Sequence, residues 1–284
     1  MLSTLYPGDR ARRAPRPDRS LRQEYEEFLF QRIEEYKNGL SRAELLEIGD
    51  EAVRELEAGA ADQYLLTEVL LLEHVDRIIS RRLRLPTFQR WSRRHRTLRA
   101  AQREPTHWDL EADGPLIAHT RRLEPGDAAV VVGAAALPAA LFVAAHEVEV
   151  LLLDQDLAAV EAAEGRAVSE QLAARFHALV VQFGSWMPDV PVTMAVLHAG
   201  SLAVLDAAVR RALVTDLQLR TAPGGVHVVI PTGDGEPEVI PIGTDPLHTL
   251  YASWQVDQRA RPRHGGFAAT KPSRHSDTQV NVSE

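Results

Sequence analysis

Cysteine is absent from this 284-residue chain, and lysine nearly so, Lys37 and Lys271 being its two lysines. Without thiols there is no disulfide framework, no thiolate zinc site and no cysteine nucleophile. Long apolar runs are missing too. None reaches the roughly 18 residues that a membrane-spanning helix needs, and the first residues, with Asp9, Arg10, Arg12 and Arg13, hold no apolar signal-peptide core. A cytoplasmic protein without membrane contact is therefore expected. The eleven histidines are dispersed, with no HExxH and no paired ligand spacing, so no metal site is expected. Neither a G-x-S-x-G elbow nor a GxxxxGK[ST] loop occurs, which removes the usual hydrolase and phosphate-loop readings. A net charge of −8 gives no global attraction to nucleic acid or anionic membrane. The preference for arginine over lysine, alongside abundant alanine, reads as genomic composition bias.

What is present is an ordinary globular balance of 45% hydrophobic and 25% charged residues, enough chain for one large domain or two modest ones. The composition changes near residue 105. Residues 1–19, with Pro7, Pro15 and Pro17 and no periodic hydrophobics, read as a flexible arm. Residues 20–104 read as helical. Ser20 to Gln23 and Ser41 to Glu44 both have the capping-box form that opens a helix. The first helix presents Tyr25, Phe28, Leu29, Ile33 and Tyr36, and the second Leu45, Leu46, Ile48, Val53 and Leu56. A third, from about Asp62, is apolar over so wide an arc that it reads as the central helix, until Pro86 stops it. A fourth begins near Thr87 and carries Phe88, Trp91, His95 and Leu98.

The last two helices hold Arg81, Arg82, Arg84, Arg90, Arg93, Arg94, Arg96, Arg99 and Arg103, and the first two are rich in glutamate. One reading is a nucleic-acid stripe in which these arginines meet phosphates while Trp91 and His95 stack on bases. The reading preferred here is an acidic helix pair packed beside a basic one, with solvated arginines between and abundant carboxylate partners on the first two helices, so that residues 20–104 serve as an assembly or docking layer for a second copy or a protein partner.

From residue 115 to 271 strands alternate with helices, as in a doubly wound, mostly parallel, Rossmann-like sheet in which each crossover needs a covering helix. Val130 to Val132 form a buried strand ended by Gly133, and Asp154 closes the second strand at about the 20-residue spacing where such folds place a ribose-binding carboxylate. Leu157–Ala174 reads as a helix, Ala178–Gln182 and Val192–His198 as strands, Leu202–Leu217 as a helix, and Thr221–Gly225 as a turn into the strand Val226–Ile230. Gly233–Pro237 reads as a surface loop. Tyr251–Val256 and Gly266–Thr270 read as strands joined by a turn at Pro262–Gly265, and residues 272–284 as a flexible tail. His74, His146 and His177 fall in helix or strand-edge patterns and read as structural groups. Glu147 and Glu149 flank the second strand and read as solvent-facing.

This order, with a strand ending in glycine, a strand ending in aspartate, Ala222-Pro223-Gly224-Gly225 before the fifth strand and the closing Gly265-Gly266-Phe267, resembles the class I S-adenosylmethionine-dependent methyltransferases. The resemblance implies S-adenosylmethionine as cofactor and methyl transfer to an unidentified acceptor. It implies that Gly133 and Ala135 form the cofactor loop, that Asp154 binds the ribose hydroxyls, that Phe183, Gly184 and Trp186 border the adenine, and that His198 opens onto the substrate. The chain departs from the family at Val131, where an acidic residue is usual, and at Ala135 and Leu137, where glycines are usual. Side chains at Ala135 and Leu137 are expected to project into the space the methionine moiety needs. The alternative is a catalytically silent member of the fold with a structural or docking role. A nicotinamide-cofactor reductase would use the same sheet and Asp154, but the dinucleotide fingerprint needs glycines where Ala135, Ala136 and Pro138 stand.

Overall fold

The computed structural model describes residues 20–59, 68–231, 247–257 and 267–273. The expected arm at 1–19, the start of the third helix near Asp62, the loop Gly233–Pro237, the turn Pro262–Gly265 and the tail from residue 274 lie outside the described residues. The chain forms two compact units that divide after Leu98.

The first unit is helical: α1 (Leu21–Asn38), α2 (Arg42–Gly59), α3 (Glu68–Arg82) and most of α4 (Phe88–Gln102). Both expected capping boxes form. Ser20 Oγ accepts from Gln23 N at 3.2 Å and Gln23 Oε1 from Ser20 N at 2.9 Å, with the same reciprocal pair between Ser41 and Glu44. The core is small, built from Ile33, Ile48, Ala52, Ile78 and Ile79. A second cluster stacks Tyr25, Phe28 and Phe88 around Trp91. The third helix is less central than its pattern suggests. It buries His74, Ile78 and Ile79, while Val69 and Leu72 at its start stay exposed, so its apolar arc is wider than the described helices cover.

The second unit is a seven-stranded sheet of order β3-β2-β1-β4-β5-β7-β6. Its strands are β1 (Ala128–Val132), β2 (Glu149–Asp154), β3 (Phe176–Val180), β4 (Val192–His198), β5 (Thr221–Ile230), β6 (Gln255–Val256) and β7 (Phe267–Thr270). The first five run parallel, and β7 is antiparallel to both β5 and β6. Helices α5 (Pro115–Thr120), α6 (Leu137–Ala145), α7 (Leu157–Ser169), α8 (Ala199–Ala203), α9 (Ala207–Arg220) and α10 (Leu247–Leu250) complete the unit. One face of the sheet packs against α5, α6 and α7, the other against α9, Tyr251 and the β3–β4 segment. The fold class is thus the α/β, doubly wound, mostly parallel sheet expected, with a helical N-terminal region.

Four local expectations are corrected. The helix expected at 202–217 is two, because the chain turns at Val204 to Asp206 and Asp206 Oδ1 caps α9 by accepting from Ala208 N and Val209 N, both at 3.0 Å. The expected turn at 221–225 belongs to β5, where a register irregularity opposite Val192 to Met194 absorbs the extra residues. The strand expected from Tyr251 is only Gln255–Val256, since Tyr251 is buried as an anchor against Phe267 and Trp254. Finally, no helix covers the β3–β4 crossover: residues 181–191 are irregular, and Val181, Phe183 and Met187 fill the place a helix would take.

Candidate functional site

The site follows from the sheet order. After β1 the chain turns to β2 on one side, and on the other side of β1 lies β4, so the carboxyl ends of β1 and β4 flank the point where the winding reverses. Ligands of open α/β sheets bind there. Gly133 leaves β1 and His198 ends β4.

Gly133 has φ 94 and ψ 124, a conformation closed to other residues, and its N–H donates to Leu153 O at 2.9 Å. A Cβ built on it would lie 2.2 Å from Ser201 Oγ and 2.6 Å from Ser201 Cβ. The glycine is thus required first by the close approach of α8. Ala134–Ala136 then form a 3-10 turn, with Ala136 buried and Ala135 exposed. Leu137 starts α6 and packs against the core on that face.

Asp154 is held by the backbone on both sides. Its Oδ2 accepts from Ala134 N at 2.6 Å, and its Oδ1 from Asp156 N at 2.9 Å. The carboxylate therefore ties the end of β2 to the turn after β1, while each oxygen keeps a second lone pair for a further donor. Phe183 is buried in the core on the α9 face of the sheet. Gly184 has φ +82, and a Cβ there would press on Val209 Cγ1 at 3.3 Å. Trp186 is 58% exposed.

His198 is half-buried and caps α8: its Nδ1 accepts from Ser201 N at 3.2 Å and lies 3.2 Å from Ser201 Oγ. Burial pushes the imidazole pKa below its ordinary value, favouring the neutral ring. With Nδ1 accepting, the ring proton sits on Nε2, which leaves that nitrogen a donor rather than a base. Ser201 was not anticipated from sequence. Its signal was the spacing His198-Ala-Gly-Ser201, a capping pattern with histidine at the cap. Also missed was a rim of exposed apolar side chains, Leu157, Val180, Trp186 and Val204, on the segments that leave the carboxyl ends of β2, β3 and β4.

Of the remaining histidines, His146 bonds Phe142 O at 2.9 Å, His74 meets Glu55 at 2.9 Å, and His177 is exposed. Glu147 and Glu149 pair with Arg103 and Arg175 rather than standing free in solvent. Among the described residues no group of three or more His, Asp or Glu could hold a metal ion, and no helix is long and apolar enough to cross a membrane.

No protein-family model matches the chain, and no curated protein matches it in sequence. Among solved structures it is similar to the glycopeptide N-methyltransferase MtfA complexed with (S)-adenosyl-L-methionine, at 19% identity and a TM-score of 0.36, over 40% of this chain and 51% of that one. It is similar to the N-methyltransferase NodS from Bradyrhizobium japonicum WM9, at 14% identity and 0.43, over 56% and 93%. It is also similar to the [4+2]-cyclase SpnF, at 18% identity and 0.42, over 56% and 80%. The chain spans about half the length of MtfA. The fold assignment itself rests on the strand order and register of this chain's own sheet.

Proposed function

We propose that the α/β unit binds S-adenosylmethionine across the carboxyl ends of β1 and β2 and catalyses methyl transfer to an acceptor entering beside β4. The observation that carries this reading is the Asp154 tie. A carboxylate at the end of β2, locked by the Ala134 amide to a glycine-led turn after β1, places fixed acceptors and backbone donors together at the switch point, where a ribosyl cofactor needs them. The residues present fit that group. Asp154 keeps lone pairs for two hydroxyls, and the apolar rim of Leu157, Val180 and Trp186 offers surface to an aromatic base. The exposed Ala135, where the family has a glycine, adds only a methyl group to this edge.

When bound, the cofactor supplies an electrophilic methyl on a sulfonium. The protein's own residues then hold donor and acceptor in line and exclude water, which is the larger part of such catalysis. His198 contributes an Nε2 donor beside the acceptor path. SpnF carries the name of a cyclase, so the fold alone does not dictate the reaction.

Calorimetric titration of the full chain with S-adenosylmethionine tests the reading. Binding in the micromolar range or tighter is expected. Asp154→Asn, which keeps one oxygen for the Ala134 amide, should weaken it at least tenfold, the loss of one or two charge-assisted bonds of about 1.5 to 3 kcal/mol each. Absence of binding by the folded wild-type protein would overturn the reading in favour of a catalytically silent fold.

A further inference from the structure

The arginines of the helical unit fall into two groups. Those at the end of α3 are paired: Arg81 Nη2 donates to both oxygens of Glu55 at 2.7 Å, and Arg82 pairs with Glu51. Four of the five on α4 are not. Arg90, Arg93, Arg94 and Arg96 are all exposed and have no hydrogen-bond or ion-pair partner among the described residues, although acidic helices stand in the same unit. The α2 carboxylates Glu55 and Glu51 thus serve Arg81 and Arg82 and not these four arginines. Helix α4 has five arginines and no acidic residue.

Two shallow grooves lie along this face. One, of about 330 Å³, is lined by Thr87, Gln89, Arg90, Arg93 and Arg94, and the other, of about 420 Å³, by Gln89, Ser92, Arg93, Arg96 and Thr97. Every lining side chain is a guanidinium, an amide or a hydroxyl, the donor set that meets phosphate oxygens. Arg90 and Arg96 are about 9 Å apart along the helix axis, a span of two to three phosphates at the 3.4 Å spacing of one strand. The aromatic groups face the other way: Trp91 and His95 are 4% and 6% exposed, stacked on each other at 4.5 Å, with His95 bonded to Glu24.

We propose that the outer face of α4 binds the phosphate backbone of a nucleic acid without reading its sequence. The positive face supplies the attraction, and the buried rings leave nothing to stack on bases. A second copy of the chain fits less well, because the outward face of α2 places Leu46 and Arg54 among its carboxylates.

Fluorescence anisotropy of the full chain with two labelled duplexes of unrelated sequence tests this. Neutralising two to three phosphates predicts a log–log salt slope between about −1.8 and −2.7, so affinity should fall roughly ten- to fortyfold between about 50 and 200 mM salt. The two sequences should bind within about threefold of each other. The exposed quadruple variant Arg90→Gln, Arg93→Gln, Arg94→Gln, Arg96→Gln should keep its circular dichroism and lose binding. No binding at low salt, binding that survives the quadruple change, or a strong preference for one sequence would overturn the proposal. So would self-association by sedimentation that the same variant abolishes, which would assign the face to a second copy.

Discussion

The two units are held together differently. The α/β unit buries two continuous apolar layers, one on each face of its sheet, with β1 covered on both sides and Val131 and Val132 wholly out of solvent. Among its described residues the helical unit has five in its aliphatic core and an aromatic cluster beside it, and much of their remaining contact is between charged side chains, such as Lys37 with Glu34 and Asp76 or Arg81 with Glu55. Burial of apolar area stabilises by about 25 cal/mol per Å², whereas an exposed ion pair adds at most about 1 kcal/mol. Substitutions in the sheet unit should therefore cost several times what substitutions of paired charges cost in the helical unit, and salt should act on the second kind alone.

The largest effect is expected at the switch point. Gly133→Ala forces a Cβ into a positive-φ conformation and against Ser201 Oγ at 2.2 Å, a contact that cannot exist unmoved. Strain at such a backbone costs about 1 to 3 kcal/mol before the clash is counted, so a total of roughly 3 kcal/mol or more is expected in the denaturant midpoint. Ser201→Gly should be mild alone and should recover part of that loss in the double variant. A Gly133→Ala protein as stable as wild type would show that α8 does not seat on the glycine.

Next in size is an acid sensitivity in the same unit. His227 is fully buried on β5, its Nδ1 accepting from Tyr251 O–H at 2.8 Å and its Nε2–H donating to Thr221 Oγ1 at 2.8 Å, whose own hydroxyl donates to Leu217 O at 2.6 Å. Burial, with Lys271 nearby, pushes its pKa down from 6.5 to about 3, and burial pushes Tyr251 up, so both stay neutral. Because the unfolded histidine binds a proton near pH 6.5 and the folded one does not until about pH 3, stability from this group is complete above pH 6.5 and lost progressively down to pH 3. Each pH unit inside that window is worth up to about 1.4 kcal/mol, or about 2 to 3 kcal/mol between pH 7 and 4.5. His227→Gln should lower stability at pH 7 and flatten this part of the pH profile. An unchanged slope would remove His227 as its source.

The contrast also explains what could be read before folding. Val130 to Val132, Gly133 and Asp154 were legible because a parallel strand covered on both faces has a continuous apolar signature and its ends carry fixed punctuation. Both capping boxes were legible because they are local. The β3–β4 crossover was not, since Val181, Phe183 and Met187 show their helix-replacing role only against the faces of β1 and β2. The difference between Arg81 and Arg93 was equally hidden: both are arginines on amphipathic helices, and only the packing of α2 beside α3 gives one of them a partner.

The smallest effect sharpens that last difference. Arg81 bonds Glu55 through both carboxylate oxygens at 2.7 Å, and Glu55 also meets His74, which together hold the Glu55 carboxyl below its ordinary pKa. The pair is exposed, so solvent screens it, and Arg81→Gln should cost only a small loss of stability at low salt, shrinking as salt rises. Arg93→Gln removes no bond within the described unit and should leave stability unchanged within about 0.5 kcal/mol at any salt. A double-mutant cycle of Arg81 with Glu55, and the same measurement on Arg93, would decide the matter by thermal or urea unfolding. Equal losses for the two arginines would mean that α4 charge is engaged within the fold after all, whereas a salt-sensitive cost at Arg81 alone would leave the α4 face available to an external anion.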